Sequence, residues 1–280
     1  MMISVFCCLF AFGLTPSSGQ SSLLCELENS HVTESSGVAA SHRMRGIYWT
    51  HNDSGDGPNL YAFDENGKDL GTYTLQNAKA IDWEDMASAK IGGVPYLYIA
   101  DVGDNARIRK EIVVYRVREP EAKPGIHTIR EFDTYTLKYP DEAHDCEALI
   151  VSPKEELILI TKERAGQPGV YMASLKDSKH SYTLEKLGEL KMDNAVRANR
   201  LVTGADMSPD GQFVVVRTYF VAYLYDNSKG RWFEKAPRLL RIPFERQGEG
   251  ICFDVFNKKR LLTTSEGKPC RVSVIPLLLK

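Results

Sequence analysis

Thr203 to Phe244 reads TGADMSPDGQFVVVRTYFVAYLYDNSKGRWFEKAPRLLRIPF. Four short runs stand out in it: ADMS, QFVVVRT, VAYLYD and RLLRIPF. The first two are joined by Ser208-Pro209-Asp210-Gly211, a tight-turn sequence, because Pro presets φ and Gly accepts a positive one. Short runs rich in Val, Tyr and Leu, bounded by Gly, Pro, Asn and Asp, are predicted strands. Four successive strands in about 40 residues make one blade of a β-propeller.

The same opening recurs outward along the chain. SSGVAAS starts at Ser35, DWEDMAS at Asp82, DCEALIVS at Asp145 and QGEGICFD at Gln247. With Ser36, Glu84, Glu147, Ala205 and Glu249 as equivalent positions, the spacings are 48, 63, 58 and 44 residues. The expected fold is all-β: a propeller of about five four-stranded blades, with room for a sixth in the two long spacings. The last copy ends one strand short. Leu23 to His31 (LLCELENSH) belongs to no other blade, so it is expected to supply that outer strand and close the ring. Closure removes exposed strand edges. It would also bring Cys25 next to the third strand of the last blade, where a disulfide to Cys270 is expected.

Hydrophobic residues make up 43% of the 280 positions and charged ones 26%, a folded, soluble composition. A net charge of −2 excludes the basic stripe that general nucleic-acid binding needs. Ile3 to Leu14 is an uncharged apolar run followed by Pro16, Ser17, Ser18 and Gly19. That order marks residues 1–19 as a secretory signal peptide, although its start lacks Lys and Arg. A span needs about 20 apolar residues, so no membrane crossing is expected. Residues 20–280 are then one secreted, extracellular domain. Its four cysteines, Cys25, Cys146, Cys252 and Cys270, allow three pairings.

Strands 1 and 2 of a blade are antiparallel, so the start of one and the end of the other share a face. Polar clusters fall at those two places. Strand 1 starts carry Asp82, Glu84, Asp85, Asp145, Glu147, Asp206 and Glu249. Strand 2 ends carry His51-Asn52-Asp53-Ser54-Gly55-Asp56, Asp101-Val102-Gly103-Asp104-Asn105, Lys162-Glu163-Arg164, Arg217-Thr218-Tyr219 and Ser265-Glu266-Gly267. They should ring one mouth of the channel. Crowded carboxylates there require a hard divalent ion, salt bridges to Lys162, Arg164 and Arg217, or a basic ligand.

Each cluster also has a plainer reading. His51 to Asp56 is turn-forming chemistry and contains the sequon Asn52-Asp53-Ser54, which competes with a site there. Asp101 to Asn105 has ligand-like spacing without the full EF-hand pattern. Asp145, Glu147, Asp206 and Glu249 could bond backbone amides around the channel. Lys162 and Arg217 could be locally paired, and His51 and His144 could be proton shuttles or ordinary surface residues. The common nucleophile and zinc signatures are absent.

On HNDSGD, DWEDMA, DVGDN, DCEALI and GADMSPDG, the chain resembles a group of secreted propellers, related in style to esterase-like phytase propellers and more loosely to calcium propellers of the gluconolactonase/paraoxonase type. The resemblance implies calcium in the channel, and Glu84, Asn105, Glu147, Asp206 and Glu249 are of suitable type. The expected function is a divalent-metal-dependent hydrolase of phosphate esters or lactones, with a small anionic substrate. Glu84, Asp101, Asp104, Asn105, Glu147 and Glu249 would be ligands for Ca²⁺ in preference to Mg²⁺. His51, Asp53, Lys162 and Arg217 would be the catalytic residues. The alternative is a non-enzymatic extracellular propeller that binds a ligand or protein.

Overall fold

The computed structural model describes residues 21–176, 179–192 and 200–278. The expected signal peptide and Cys7 and Cys8 lie outside them. The chain opens with β1 (Ser22–Glu26) and then builds the first blade from β2 (Ser35–Ala40), β3 (Ile47–Asn52), β4 (Asn59–Asp64) and β5 (Asp69–Leu75). The second blade follows with β6 (Trp83–Ile91), β7 (Val94–Asp101), β8 (Ile112–Arg118) and β10 (Asp133–Lys138), and β9 (Ile126–Ile129) lies in the connection between the last two. The third contains β11 (Cys146–Val151), β12 (Glu156–Thr161), β13 (Gly169–Ser174) and β15 (Glu185–Glu189), with β14 (Ser181–Thr183) in the connection between the last two. The fourth is β16 (Val202–Met207), β17 (Phe213–Thr218), β18 (Val221–Asp226) and β19 (Arg238–Arg241). The last is β20 (Gly248–Phe253), β21 (Arg260–Ser265) and β22 (Arg271–Pro276).

Five sheets result, and the count of six is ruled out. The two long spacings are filled by strands that turn back. β9 pairs in parallel with β5 on the first blade, and β14 pairs in parallel with β10 on the second. Each covers a sheet edge that would otherwise offer unpaired backbone groups. β1 pairs antiparallel with β22, opposing Cys25 to Val272, so the N-terminal segment closes the ring as expected. All four described cysteines are free thiols, so the expected Cys25–Cys270 bridge is absent. Cys25, Cys252 and Cys270 instead pack in the apolar layer between the last blade and the first.

The inner strands β2, β11, β16 and β20 are buried at every position, because each is covered by blades on both sides. That is why their sequences are uniformly small or apolar and do not alternate. One apolar layer fills each gap between neighbouring blades; Tyr98, Val114, Leu149 and Tyr171, for example, lie between the second and third. Every inner pair also contains one β-bulge near the start of the inner strand. The ladder skips between Ser35 and Gly37, Trp83 and Asp85, Cys146 and Ala148, Val202 and Gly204, and Gly248 and Ile251. The extra residues are Ser36, Glu84, Glu147, Thr203 and, in the last blade, Glu249 with Gly250. The fourth equivalent position is therefore Thr203 and not Ala205.

Below the bulges, buried carboxylates tie the inner strands together. Asp85 accepts N–H bonds from Met86 (2.8 Å), from Leu149 of the third blade (2.9 Å) and from Ala205 of the fourth (3.1 Å). Asp206 accepts from Met207 and from Phe253 of the last blade, both at 2.8 Å. These are structural bonds and not parts of a site. Asp85→Ala leaves two cross-blade N–H groups unsatisfied, and each such loss costs about 1–3 kcal/mol. Thermal unfolding should show a midpoint several degrees below wild type; an unchanged midpoint would remove Asp85 from this role.

Candidate functional site

A bulge puts two residues opposite one and re-aims a side chain. Here it turns Glu84, Glu147 and Glu249 out of the ladder and into a cavity of about 590 Å³ at the channel mouth. In the other two blades the bulged residue bonds inward: the Ser36 hydroxyl donates to the Glu84 carbonyl, and the Thr203 hydroxyl to the Gly248 carbonyl at 3.0 Å. The cavity is also lined by Asp53, Ser54, Asp82, Asn105, Lys162, Arg164, Leu201, Tyr219, Gln247 and Glu266.

Asp53, Asp82 and Glu84 form the tightest group. Each offers a carboxylate oxygen, and these lie within 4.8 Å of one another. Gly103 makes this convergence feasible. A Cβ there would stand 2.3 Å from Glu84 Oε1 and 2.4 Å from Asp82 Oδ2, so no other residue fits without displacing both. The main chain of Asp82 is fixed from below by Asp101. Its buried carboxylate accepts the N–H groups of Ile81 and Asp82, both at 3.2 Å, and pairs with Arg109 at 2.9 Å.

Across the cavity, Lys162 Nζ contacts both Glu147 oxygens at 2.5 Å and donates to the Tyr219 hydroxyl at 2.9 Å. Burial and the surrounding negative charge leave most of the acids hard to ionise. Burial, then Asp53, raises Asp82 to about 6. Burial, then Glu147, raises Glu84 well above the usual range. Burial raises Glu147 to about 7, against the pull of Lys162. Burial, then Glu147, raises Glu249 to about 8. Lys162 is held above the ordinary lysine value by Glu147, despite its burial.

The structure brings six of the ten sequence-derived candidates to the cavity: Asp53, Glu84, Asn105, Glu147, Lys162 and Glu249. The other four lie outside its lining. Asp104 accepts the Arg109 N–H at 2.7 Å and so shapes the loop, as Asp101 does. Arg217 is fully buried and paired with Glu245, with Nη1 donating to Gly250 and Thr264 carbonyls at 3.1 and 3.3 Å; it ties the fourth blade to the last. His51 is fully buried edge-on to Trp83, its Nδ1 2.8 Å from the Asn52 carbonyl, and burial lowers its pKa. His144 is also buried, bonded to Asp141 and Tyr171. The Asn52 side chain bonds His31, Thr33, Glu34 and Asp56, so its amide is committed inside the fold and the sequon cannot carry a glycan in this conformation.

Asp82, Tyr219 and Glu266 stood in the sequence-derived ring without a role, and Gln247 and Leu201 were not seen there. For Asp82 the signal was present: a second carboxylate two residues before Glu84, at a strand start.

No family model matches the chain, and no curated protein matches it. Among solved structures, the PQQ-bound aldose sugar dehydrogenase of Streptomyces coelicolor is similar, with a TM-score of 0.55 at 10% identity over 93% of this chain and 99% of that one. At that identity the likeness carries the propeller fold alone. No described helix is long and apolar enough to cross a membrane.

A carboxyl with a raised folded-state pKa holds its proton more firmly when folded. Its favourable contribution is complete below about pH 4 and is lost as pH climbs through the folded values of about 6 to 8. Glu249→Gln removes one such group. The variant's melting midpoint should gain on wild type between pH 5 and pH 9 in chelator, by a few degrees. A difference independent of pH would show that Glu249 ionises normally.

Proposed function

We propose that the mouth holds a divalent cation between Asp53, Asp82 and Glu84, and that the protein is a secreted, metal-dependent hydrolase of small phosphate esters or lactones. The observation that carries this reading is the convergence of the three carboxylates at the wall of an open cavity. The donors are hard oxygens, as Ca²⁺ and Mg²⁺ require. Ca²⁺ is the proposed ion, because it tolerates the flexible, irregular oxygen geometry of three side chains drawn from two blades, whereas Mg²⁺ demands a near-ideal octahedron. Charge supports it too: Asp53, Asp82, Glu84, Glu147, Glu249 and Glu266 face only Lys162 and Arg164.

A bound divalent ion supplies polarisation of a carbonyl or phosphoryl oxygen and a water acidic enough to attack near neutral pH. Lys162, immobilised by Glu147 and Tyr219, presents positive charge across the cavity to an anionic group. Glu249, protonated up to about pH 8, has a proton to give a leaving group at neutral pH. Asn105 is placed to orient substrate, its amide oxygen held by Arg164 at 3.2 Å. PQQ is a tricarboxylate, and this mouth already has an excess of carboxylates; we do not extend that cofactor to this chain.

Calcium added to the chelated protein should raise the melting midpoint saturably, since about 100-fold saturation over Kd contributes roughly 2.7 kcal/mol. Glu84→Gln should abolish both the shift and the turnover of p-nitrophenyl phosphate and δ-valerolactone. A shift that survives in Glu84→Gln would place the ion elsewhere. No shift in wild type would end the metal reading.

A further inference from the structure

The mouth cavity has a neighbour. A second hollow of about 310 Å³ adjoins it, and Gln247 and Glu266 line both. Three segments build the hollow: Thr33 and Glu34 between β1 and β2, Arg246 and Gln247 before β20, and Glu266 to Lys268 between β21 and β22. Main-chain bonds hold them together. The Glu266 N–H donates to the Gln247 carbonyl and the Gly267 N–H to the Thr33 carbonyl, both at 2.9 Å. The Glu34 carbonyl in turn accepts the N–H of Asp53, a member of the carboxylate triad, at 2.9 Å. Between the two spaces the Gln247 side chain donates to Glu266 Oε1 at 2.9 Å and forms a polar sill.

The cations of the hollow differ from those around the rest of the mouth. Lys162 is held by Glu147, Arg107 by Glu163, Arg109 by Asp101 and Arg164 by Asn105. Arg246 and Lys268 are exposed, and among the described residues neither has an ion pair or a side-chain hydrogen bond. Two uncommitted cations in one hollow beside a candidate reaction site suit an anionic group of the substrate. Glu34 and Glu266 line the same hollow, so a single negative charge is accommodated better than a dianion. We propose that this hollow is a second subsite of the mouth, in which Arg246 and Lys268 hold a carboxylate at the far end of an elongated substrate. The reacting group then lies beside Asp53, Asp82 and Glu84, and the chain between the two ends runs over Gln247. The inference rests on the metal reading of the mouth for the position of the reacting group. It adds the substrate class: a bifunctional molecule with a carboxylate tail.

The test uses the whole protein in calcium and three phosphonates, which bind without being hydrolysed: hexylphosphonate, 6-phosphonohexanoate and hexane-1,6-bisphosphonate. Calorimetry on wild type should show 6-phosphonohexanoate binding about tenfold more tightly than hexylphosphonate, with the preference shrinking as salt is added. Arg246→Gln with Lys268→Gln, at unchanged melting midpoint, should bring the two affinities together. Equal affinities in wild type, or a preference that survives in the double variant, would overturn the proposal. Tighter binding of the bisphosphonate than of the carboxylate would overturn the assignment of the tail. Turnover of hexyl phosphate and of 6-(phosphonooxy)hexanoate is measured alongside. Turnover of both with equal KM would sink the subsite and leave the hydrolase standing. A binding preference for the carboxylate without turnover of either ester would do the reverse, and no binding of any of the three phosphonates would end both.

Discussion

Each innermost strand has one residue too many for its partner, and it has it at the mouth. That repeated bulge is the constraint on which the rest depends. In a regular strand, Glu84, Glu147 and Glu249 would alternate with their neighbours and lie within the packed layers between blades, where an unpaired carboxylate is untenable. Displaced from the ladder, they line the cavity at the mouth. The residue after the bulge then meets the next blade closely. A Cβ at Gly204 would stand 2.7 Å from the Glu249 carbonyl. Tight stacking of the inner strands and the placement of the buried glutamates at the cavity wall are thus two results of one backbone feature.

The molecule handles buried charge in two ways, and the contrast separates scaffold from site. Asp85, Asp101 and Asp206 accept backbone N–H groups, and Arg217 has Glu245 and two carbonyls. Those groups are satisfied by the chain itself. The mouth is less well satisfied: the pKa values of Asp82, Glu84 and Glu249 rise because burial and repulsion from neighbouring acids outweigh the pull of the nearby cations. Such an arrangement costs stability, and a bound cation of the kind proposed for the mouth would relieve that cost.

The fold was legible because inner strands buried on both faces leave uniform apolar runs, and because turn residues punctuate them at blade-sized intervals. The N-terminal closing strand was legible from a strand left over at one end and another missing at the other. β9 and β14 were not, since four- and three-residue edge strands such as Ile126–Ile129 have no burial pattern to betray them. The site was legible as a face, but individual roles were not. Asp101 and Glu84 look alike in sequence, yet one bonds Ile81 and Asp82 amides while the other lines the cavity. Arg217 sits one ladder step from the mouth, and that step takes it from the opening to complete burial. Ala205 was matched in place of Thr203 because a bulge shifts register by an amount that only pairing reveals.

The most direct measurement is crystallographic: the protein grown in chelator, soaked in Mn²⁺ as an anomalous scatterer, and mapped by anomalous difference. The account predicts one strong peak within coordination distance of Asp53, Asp82 and Glu84, absent in Glu84→Gln crystals. An ordered triad with no peak, or a peak bound only elsewhere, would contradict it.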